Sequence, residues 1–235
     1  AMLEQRGIRV LTGERVLEIQ GRDRVEGVKT TAGFLEADGV ILVLGMRPEV
    51  RIAGQASVGL GASGGIRVDG SMATDTEGIW SCGDCVESRD LINGRIGLQM
   101  LWANAVQQGR VAGANAAGGK RSFPGSLNVT TVRIAERAVA SVGATASDLE
   151  AQGASLFLNK DVVGNAIGIV LMDGRVIGAQ AVGPIERVGG LIRILLQGGS
   201  LGDLAGEARG GSPGTRAARL WPLRGLERGL SRFIR

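Results

Sequence analysis

A four-residue block, Cys82-Gly83-Asp84-Cys85, holds the side chains of this sequence that are best suited to chemistry. Glycine lets a backbone approach a phosphate closely. The aspartate beside it offers two acceptor oxygens to the hydroxyl groups of a ribose or ribityl chain. The two cysteines have the spacing of a redox pair or of half a metal site. Because Gly-Asp pairs are common in turns, their meaning here depends on the elements around them.

The surroundings of the two cysteines favour a packing role. A redox pair of the thioredoxin type lies at the start of a helix, whereas Cys82 follows a predicted short strand, 79–81. A zinc site needs about two further Cys or His ligands, and the sequence has two cysteines and no histidine. We therefore expect Cys82 to be a small packed residue and predict no metal site, with a redox or metal pair as the alternative.

Composition excludes several classes of function. Without histidine there is no Ser-His-Asp triad and no His-ligated metal. Aromatic residues make up 3% with no tyrosine, so stacking of nucleic-acid bases is not expected. The net charge of +4 comes from residues 208–235, which carry seven arginines against Glu227. We predict no nucleic-acid partner and, because two cysteines form no disulfide scaffold, a cytoplasmic protein.

Short strands must position the Gly83-Asp84 pair. Runs at 8–11, 16–19, 25–30 and 34–35 predict small antiparallel strands, and the continuous apolar run 40–44 predicts a strand buried on both faces. That strand needs neighbours, so we expect the chain to be the later part of a longer protein. Further strands are predicted at 65–69 and 79–81, which places Gly83-Asp84 at a sheet edge where open α/β folds bind ligands.

An amphipathic helix is predicted after this block, over residues 98–113. Its apolar and small residues share one face, and they are Leu98, Leu101, Trp102, Ala105, Gly109 and Ala112. The start of such a helix carries about half a positive elementary charge. Periodicity alone favours an ordinary packed helix over a cofactor-binding one.

The remainder predicts an antiparallel sheet with helices. Strands are expected at 127–135, 139–142 and 157–158, a short helix at the capping box 147–150, and a hairpin of 166–172 with 175–182 around Asp173-Gly174. A helix over 185–197 would pack one stripe, formed by Ile185, Val188, Leu191, Ile192, Leu195 and Leu196. The tail 208–235 is a basic amphipathic segment that would dock on its own domain, or alternatively on a membrane surface or a partner.

Three blocks in order carry a family resemblance: ADGVILVLGMRPEV from residue 37, GGIRVDGSMATDTEGIWSCGDC from residue 64, and LWANAVQQGRVAGANAAGG from residue 101. Together they resemble the later half of the FAD-dependent pyridine nucleotide–disulfide oxidoreductases. The nearest branches are the coenzyme A-disulfide reductase and NADH oxidase group and the flavoprotein parts of nitrite and rubredoxin reductases. The resemblance covers residues 1 to about 205.

The resemblance implies a fold and a domain order. It implies α/β plus α+β architecture: the later part of a flavoprotein with two dinucleotide-binding domains, followed by a dimerisation-type antiparallel sheet with helices. The expected division is 1–45, the end of the NAD(P)-binding domain and a return strand; 46–120, the C-terminal part of the FAD-binding domain; 121–207, the dimerisation-type domain; and 208–235, the tail. A homodimer is expected on the resemblance alone.

The resemblance also implies a cofactor site. Asp84 would hydrogen-bond the ribityl chain of FAD beside Gly83, and Thr74 would lie in the turn before the FAD strand. Leu101, Trp102 and Ala103 would lie beside the flavin ring, where the helix start would stabilise an anionic ring edge.

The expected activity is that of a FAD-dependent NAD(P)H oxidoreductase with a disulfide, oxygen, peroxide or redox-protein acceptor; the alternative is a non-catalytic dimerisation or partner-binding module. The family's two glycine fingerprints and redox cysteine do not occur in this sequence, and the glycines of 61–65 do not replace them. We therefore expect the chain by itself to be inactive.

Overall fold

The computed structural model describes residues 3–146, 153–183, 185, 188–200 and 202–203. The chain divides into two compact units, Ala1–Arg47 and Pro48–Arg235. The predicted short helix at 147–150 and the tail 208–235 lie outside the described residues. The predicted boundaries at residues 120 and 207 stay predictions.

The first unit is built on a three-stranded antiparallel meander. A 3-10 turn, Glu4–Arg6, precedes β1 (Val16–Gln20), β2 (Gly27–Thr30) and β3 (Phe34–Glu36), which pair in the order β1-β2-β3. The buried Thr30 hydroxyl donates to the Glu14 carboxylate over 2.6 Å. The antiparallel pairing of β1, β2 and β3 confirms the predicted meander. Its strands could be predicted because each pairs with its neighbour in sequence and glycines separate them.

Two predicted strands of the first unit, 8–11 and 40–44, are wrong. Neither segment belongs to a strand, and Ile41 and Leu44 are 91% and 87% exposed. A strand forms only where a neighbouring backbone completes its hydrogen bonds, and no described strand pairs with either segment. An apolar run therefore did not suffice to form a strand here.

The second unit begins with a small mixed sheet and a long helix. Helix α1 (Arg51–Gln55) precedes β4 (Ile66–Arg67), β5 (Val86–Arg89) and β6 (Ile96–Leu98); β5 pairs parallel to β4 and antiparallel to β6. The predicted strand 79–81 is reduced to one bridge between Ala73 and Trp80. Helix α2 runs from Trp102 to Ala116, so the predicted helix over 98–113 starts too early, and Leu98 belongs to β6.

A five-stranded antiparallel sheet follows. Its strands are β7 (Val129–Ile134), β8 (Arg137–Gly143), β9 (Ser155–Lys160), β10 (Ala166–Met172) and β11 (Arg175–Val182), in the order β7-β8-β11-β10-β9. Asp173 and Gly174 take φ values of +50° and +74°, the left-handed pair that a tight type I′ turn requires. The predicted hairpin is confirmed.

Helix α3 (Val188–Leu196) covers one face of this sheet. Leu191, Ile194 and Leu195 are buried in one cluster with sheet residues such as Ile169 and Val176. Ile194, absent from the predicted stripe, is buried, whereas Leu196 is half exposed. No helix within the described residues is long and apolar enough to span a membrane.

Candidate functional site

The block 82–85 forms a turn between the bridged segment at Trp80 and β5. The Ser81 amide donates to the Met72 carbonyl over 3.0 Å, and the Val86 amide donates to the Gly83 carbonyl over 3.2 Å. Gly83 has φ of +91°, a conformation that favours glycine. Asp84 is exposed, and its carboxylate accepts no hydrogen bond from any residue that the structure describes. The turn thus presents an exposed carboxylate on a backbone that is held from both sides.

Thr74 closes the neighbouring turn, 74–79. Its hydroxyl donates to the Ile79 carbonyl over 3.0 Å and accepts from the Thr76 amide over 3.2 Å, while its own amide donates to Ile79. Thr74 therefore lies in the turn leading into the segment before Gly83, as predicted. These hydrogen bonds all lie within that turn, and the contact of Thr74 with a cofactor stays a prediction.

The start of α2 lies beside the 82–85 turn. A Cβ atom added at Gly83 would lie 3.9 Å from the Ala105 Cβ. Leu101 is the N-terminal capping residue in extended conformation, and no side chain caps the helix. The first amides of α2 therefore lack intrahelical acceptors and concentrate the positive end of the helix dipole.

Trp102 does not face the packed interior, contrary to the predicted helix face. Its side chain is 81% exposed, and Ala103 is exposed as well. Around the helix Trp102 lies opposite the buried residues, because a rotation of about 100° per residue carries positions 104, 108 and 111 to the other side. Two of the residues predicted to lie beside a flavin, Trp102 and Ala103, are thus open on this surface, and Leu101 is partly buried.

The buried face of α2 is polar, which the apolar pattern did not indicate. Asn104, Gln108 and Asn115 are 7%, 1% and 8% exposed. The Asn104 amide group bonds both the carbonyl and the amide of Leu127, at 3.2 and 3.3 Å. Their spacing of four and seven residues places three amide side chains on one face, and this was the signal available in the sequence.

Gln108 connects α2 directly to the candidate site. Its Oε1 accepts the Gly83 amide over 2.7 Å, and its Nε2 donates to the Ser126 hydroxyl over 3.4 Å. Ser126 is fully buried and shares a 2.6 Å hydrogen bond with Ser88 of β5. One buried amide therefore joins the turn, the helix and β5.

The environment of Cys82 suits packing more than redox chemistry. Burial raises the pKa of the Cys82 thiol, and the charge that Cys85 would carry raises it further. The Cys85 thiol donates to the Cys82 carbonyl over 3.4 Å. Cys82 packs against the cluster of Met72, Val111 and Ala112. A raised pKa keeps the thiol protonated near neutral pH, and the thiolate is the reactive form.

The glycines of 61–65 surround a carboxylate. Glu87, buried in β5, accepts the Ser63 amide over 2.6 Å and the Gly65 amide over 3.3 Å. A Cβ at Gly61 would collide with that carboxylate. Since a buried carboxylate already takes these amides, the loop is no phosphate cradle. Across the described residues, no group of three or more His, Cys, Asp or Glu side chains is placed to hold a metal ion.

Comparison with known proteins finds a family similar to the first part of this chain. Residues 1–109 match the model of the pyridine nucleotide-disulphide oxidoreductases. This part of the chain is therefore similar to that family. The match contains the 82–85 turn, Thr74 and the first half of α2. The likeness to solved structures extends beyond the matched segment of the pyridine nucleotide-disulphide oxidoreductase family.

Individual proteins are similar to a larger part of the chain. An NAD(P)H sulfur oxidoreductase (CoA-dependent) of Pyrococcus abyssi is 36% identical over 60% of this chain and 31% of its own length. An NADH oxidase of Methanocaldococcus jannaschii is 32% identical over 79% of the chain and 44% of its own length. The structure of a FAD-dependent pyridine nucleotide-disulphide oxidoreductase from Desulfovibrio vulgaris superposes with a TM-score of 0.80 at 29% identity, covering 87% of this chain and 54% of that one. The chain thus spans less than half the length of these two curated relatives.

Proposed function

We propose that this chain forms part of a FAD-dependent NAD(P)H oxidoreductase, with its share of the flavin site between the 82–85 turn and the start of α2. The observation that carries the proposal is the exposed Asp84 carboxylate, free of described partners, on a turn that packs against an uncapped helix start. The family match and the relatives' names supply the class of reaction.

The residues of the site fit this cofactor. Ribityl hydroxyl groups donate hydrogen bonds, and the Asp84 carboxylate has all its acceptor positions available among the described residues. Gly83 adds no side chain at the closest approach. When bound, FAD supplies the reversible uptake of electrons from reduced nicotinamide; this chain binds and orients it.

The start of α2 would act on the ring side of the site. The amides of its first turn are free of a side-chain cap, so their partial positive charge favours an anionic ring edge. Leu101, Trp102 and Ala103 form this turn and its cap. The exposed indole of Trp102 offers a flat apolar face that would limit water at the ring.

The electron acceptor belongs to one of a few chemical classes. The relatives are named as a sulfur oxidoreductase and an NADH oxidase, which supports a sulfur or disulfide compound or oxygen, with peroxide and a redox protein as further candidates. Cys82 is not the redox thiol of this proposal, because burial raises its pKa. We also propose that the protein acts in the cytoplasm.

We also propose that the protein is a homodimer formed through the five-stranded sheet. Edge strand β9 exposes Leu156 and Leu158, each at 50%, and edge strand β7 exposes Val132 at 50%. Exposed aliphatic residues on edge strands favour association. Sedimentation velocity of the full-length protein should give twice the monomer mass; a monomer at micromolar concentration would contradict the dimer.

The decisive experiment removes the Asp84 carboxylate. In the full-length protein, Asp84→Ala should raise the dissociation constant for FAD at least ten-fold, because hydrogen bonds to a charged group contribute about 1.5–3 kcal/mol each. Asp84→Asn, which keeps one acceptor oxygen, should lose less. Exposed Asp23, in the turn between β1 and β2, gives the control variant Asp23→Ala, which should bind FAD normally.

Tryptophan fluorescence gives an independent readout of the same site. FAD should quench Trp102, and Trp102→Phe should remove most of the FAD-dependent change. Unchanged FAD affinity in Asp84→Ala would reject the assigned role of Asp84. A full-length protein that binds no FAD at all would favour the non-catalytic dimerisation or partner-binding module.

A further inference from the structure

Gln108 is the most buried polar side chain of α2, and besides filling space it makes a hydrogen bond to the candidate site. It is 1% exposed, and its Oε1 lies 2.7 Å from the amide nitrogen of Gly83. We infer that Gln108 is a positioning residue that fixes the direction in which the Gly83-Asp84 turn presents its carboxylate to the cofactor. This inference rests on the proposed flavin site and names a residue outside it that controls its geometry.

The ends of the turn are held by the Ser81 amide on the Met72 carbonyl and by the Ile66 amide on the Cys85 carbonyl. The Gly83 carbonyl is held by the Val86 amide over 3.2 Å, and the Gly83 amide is held by Gln108. The Asp84 side chain has no described partner of its own. The direction of its carboxylate is therefore set by the backbone of the turn, and glycine at φ of +91° is a flexible point in that backbone.

The orientation of the Gln108 amide group is itself determined. The Gly83 amide can only donate, so the oxygen of Gln108 must face it. The nitrogen then faces Ser126, whose hydroxyl is bonded to Ser88 at 2.6 Å. The backbone of Ser126 is fixed as well, since its amide donates to the Arg89 carbonyl and its carbonyl accepts from Leu91. Gln108 thus links the Gly83 amide to Ser126 and, through Ser126, to β5.

Asn115 provides a matched control on the same helix. It is a similarly buried amide, at 8% exposed, and it bonds the backbone of Ser71 and Arg121 instead of the 82–85 turn. A substitution at either site leaves backbone groups without their side-chain partner. Only the substitution of Gln108 releases Gly83.

The experiment compares Gln108→Leu, Gln108→Glu, Gln108→Asn and Asn115→Leu in two measurements. The first is hydrogen exchange of the Gly83 amide in the flavin-free chain, relative to the Val142 amide in the distant sheet. The second is the dissociation constant for FAD in the full-length protein. Gln108→Glu keeps an acceptor at the same reach. Gln108→Asn is one methylene too short and covers the case in which Gln108→Leu fails to fold.

Gln108→Leu and Gln108→Asn should speed relative exchange at Gly83 at least ten-fold and weaken FAD binding at least five-fold. Gln108→Glu should restore most of both values. Asn115→Leu should leave both within two-fold, although it also destabilises the fold. If the Gln108 variants match Asn115→Leu in both measurements, Gln108 is a structural residue and the inference fails.

Asp84→Ala, measured in parallel, separates this inference from the proposed function. If Asp84→Ala weakens FAD binding and Gln108→Leu does not, the positioning role fails alone. If Asp84→Ala leaves FAD binding unchanged, the assignment of Asp84 fails, and the Gly83 exchange rate still decides whether Gln108 holds the turn.

Discussion

Helices α2 and α3 of the second unit each bury one face, but with different side chains. Helix α3 packs Leu191, Ile194 and Leu195 against the five-stranded sheet. Helix α2 buries three amide side chains that bond to backbone groups of surrounding loops. Apolar burial is non-directional, so α3 contributes stability without fixing any single contact. Hydrogen bonds depend on distance and angle, so α2 fixes the loops it touches.

This difference suits α2 to its position beside the candidate site. A cofactor site needs backbone atoms held to within a fraction of an ångström. The amides of α2 reach the turns at Gly83 and Ser71 and the segment at Leu127. The comparison predicts that substitutions in the buried face of α3 lower the free energy of unfolding of the whole unit. Substitutions in the buried face of α2 should instead loosen the particular loops to which its amides bond.

The largest expected effect comes from truncating the apolar face of α3. Leu195 is 4% exposed, so Leu195→Ala should lower the free energy of unfolding by about 2–5 kcal/mol through lost burial and the cavity left behind. Denaturation by urea would measure it, and Leu196→Ala, at a half-exposed neighbour, should cost much less. Faster hydrogen exchange at the Gly83 turn in Leu195→Ala, with an unchanged free energy of unfolding, would contradict the comparison.

A smaller and more local effect is expected from the far end of α2. Asn115→Leu leaves the carbonyls of Ser71 and Arg121 and the Arg121 amide without their partner. The free energy of unfolding should fall by about 1–3 kcal/mol. Hydrogen exchange of the Arg121 amide should speed up, relative to the unsubstituted protein, more than that of other amides. Gln107→Ala, at an exposed position of the same helix, should be nearly neutral. Equal effects of the two variants would remove the distinction between the polar and the exposed face.

The smallest effect is expected at Cys82, which contacts α2 by packing alone. Cys82→Ala should change stability by less than about 1 kcal/mol, because the side chain is half buried and small. Since burial raises the thiol pKa, alkylation by iodoacetamide at pH 7 should be slower in the folded chain than in urea and should speed up as the pH rises. Fast alkylation of Cys82 at pH 7 would instead support a reactive thiol.

Local signals in the sequence predicted much of this fold. The Asp173-Gly174 turn sets its own hairpin through two left-handed residues, and the glycine-separated runs of β1 to β3 pair with their immediate neighbours. The turn with Gly83 and Asp84 could also be found, because its residue types are tied to its conformation. Its cofactor contacts stay predictions.

The failures have physical causes of two kinds. Periodicity searches count apolar residues, so they assigned Trp102 to the buried face and passed over Asn104, Gln108 and Asn115, whose burial depends on backbone groups far away in sequence. The run 40–44 has the composition of a buried strand, yet a strand also needs a neighbouring backbone, and no local pattern contains one.

That run has a consequence for handling the protein. Ile41, Leu42, Val43 and Leu44 are consecutive and between 60% and 91% exposed. An exposed aliphatic run that pairs with no described strand is a template for intermolecular β-pairing. Colloidal stability should therefore be limited by these four residues: aggregation of the 235-residue chain should accelerate with concentration and slow when Leu42→Lys introduces a charge into the run.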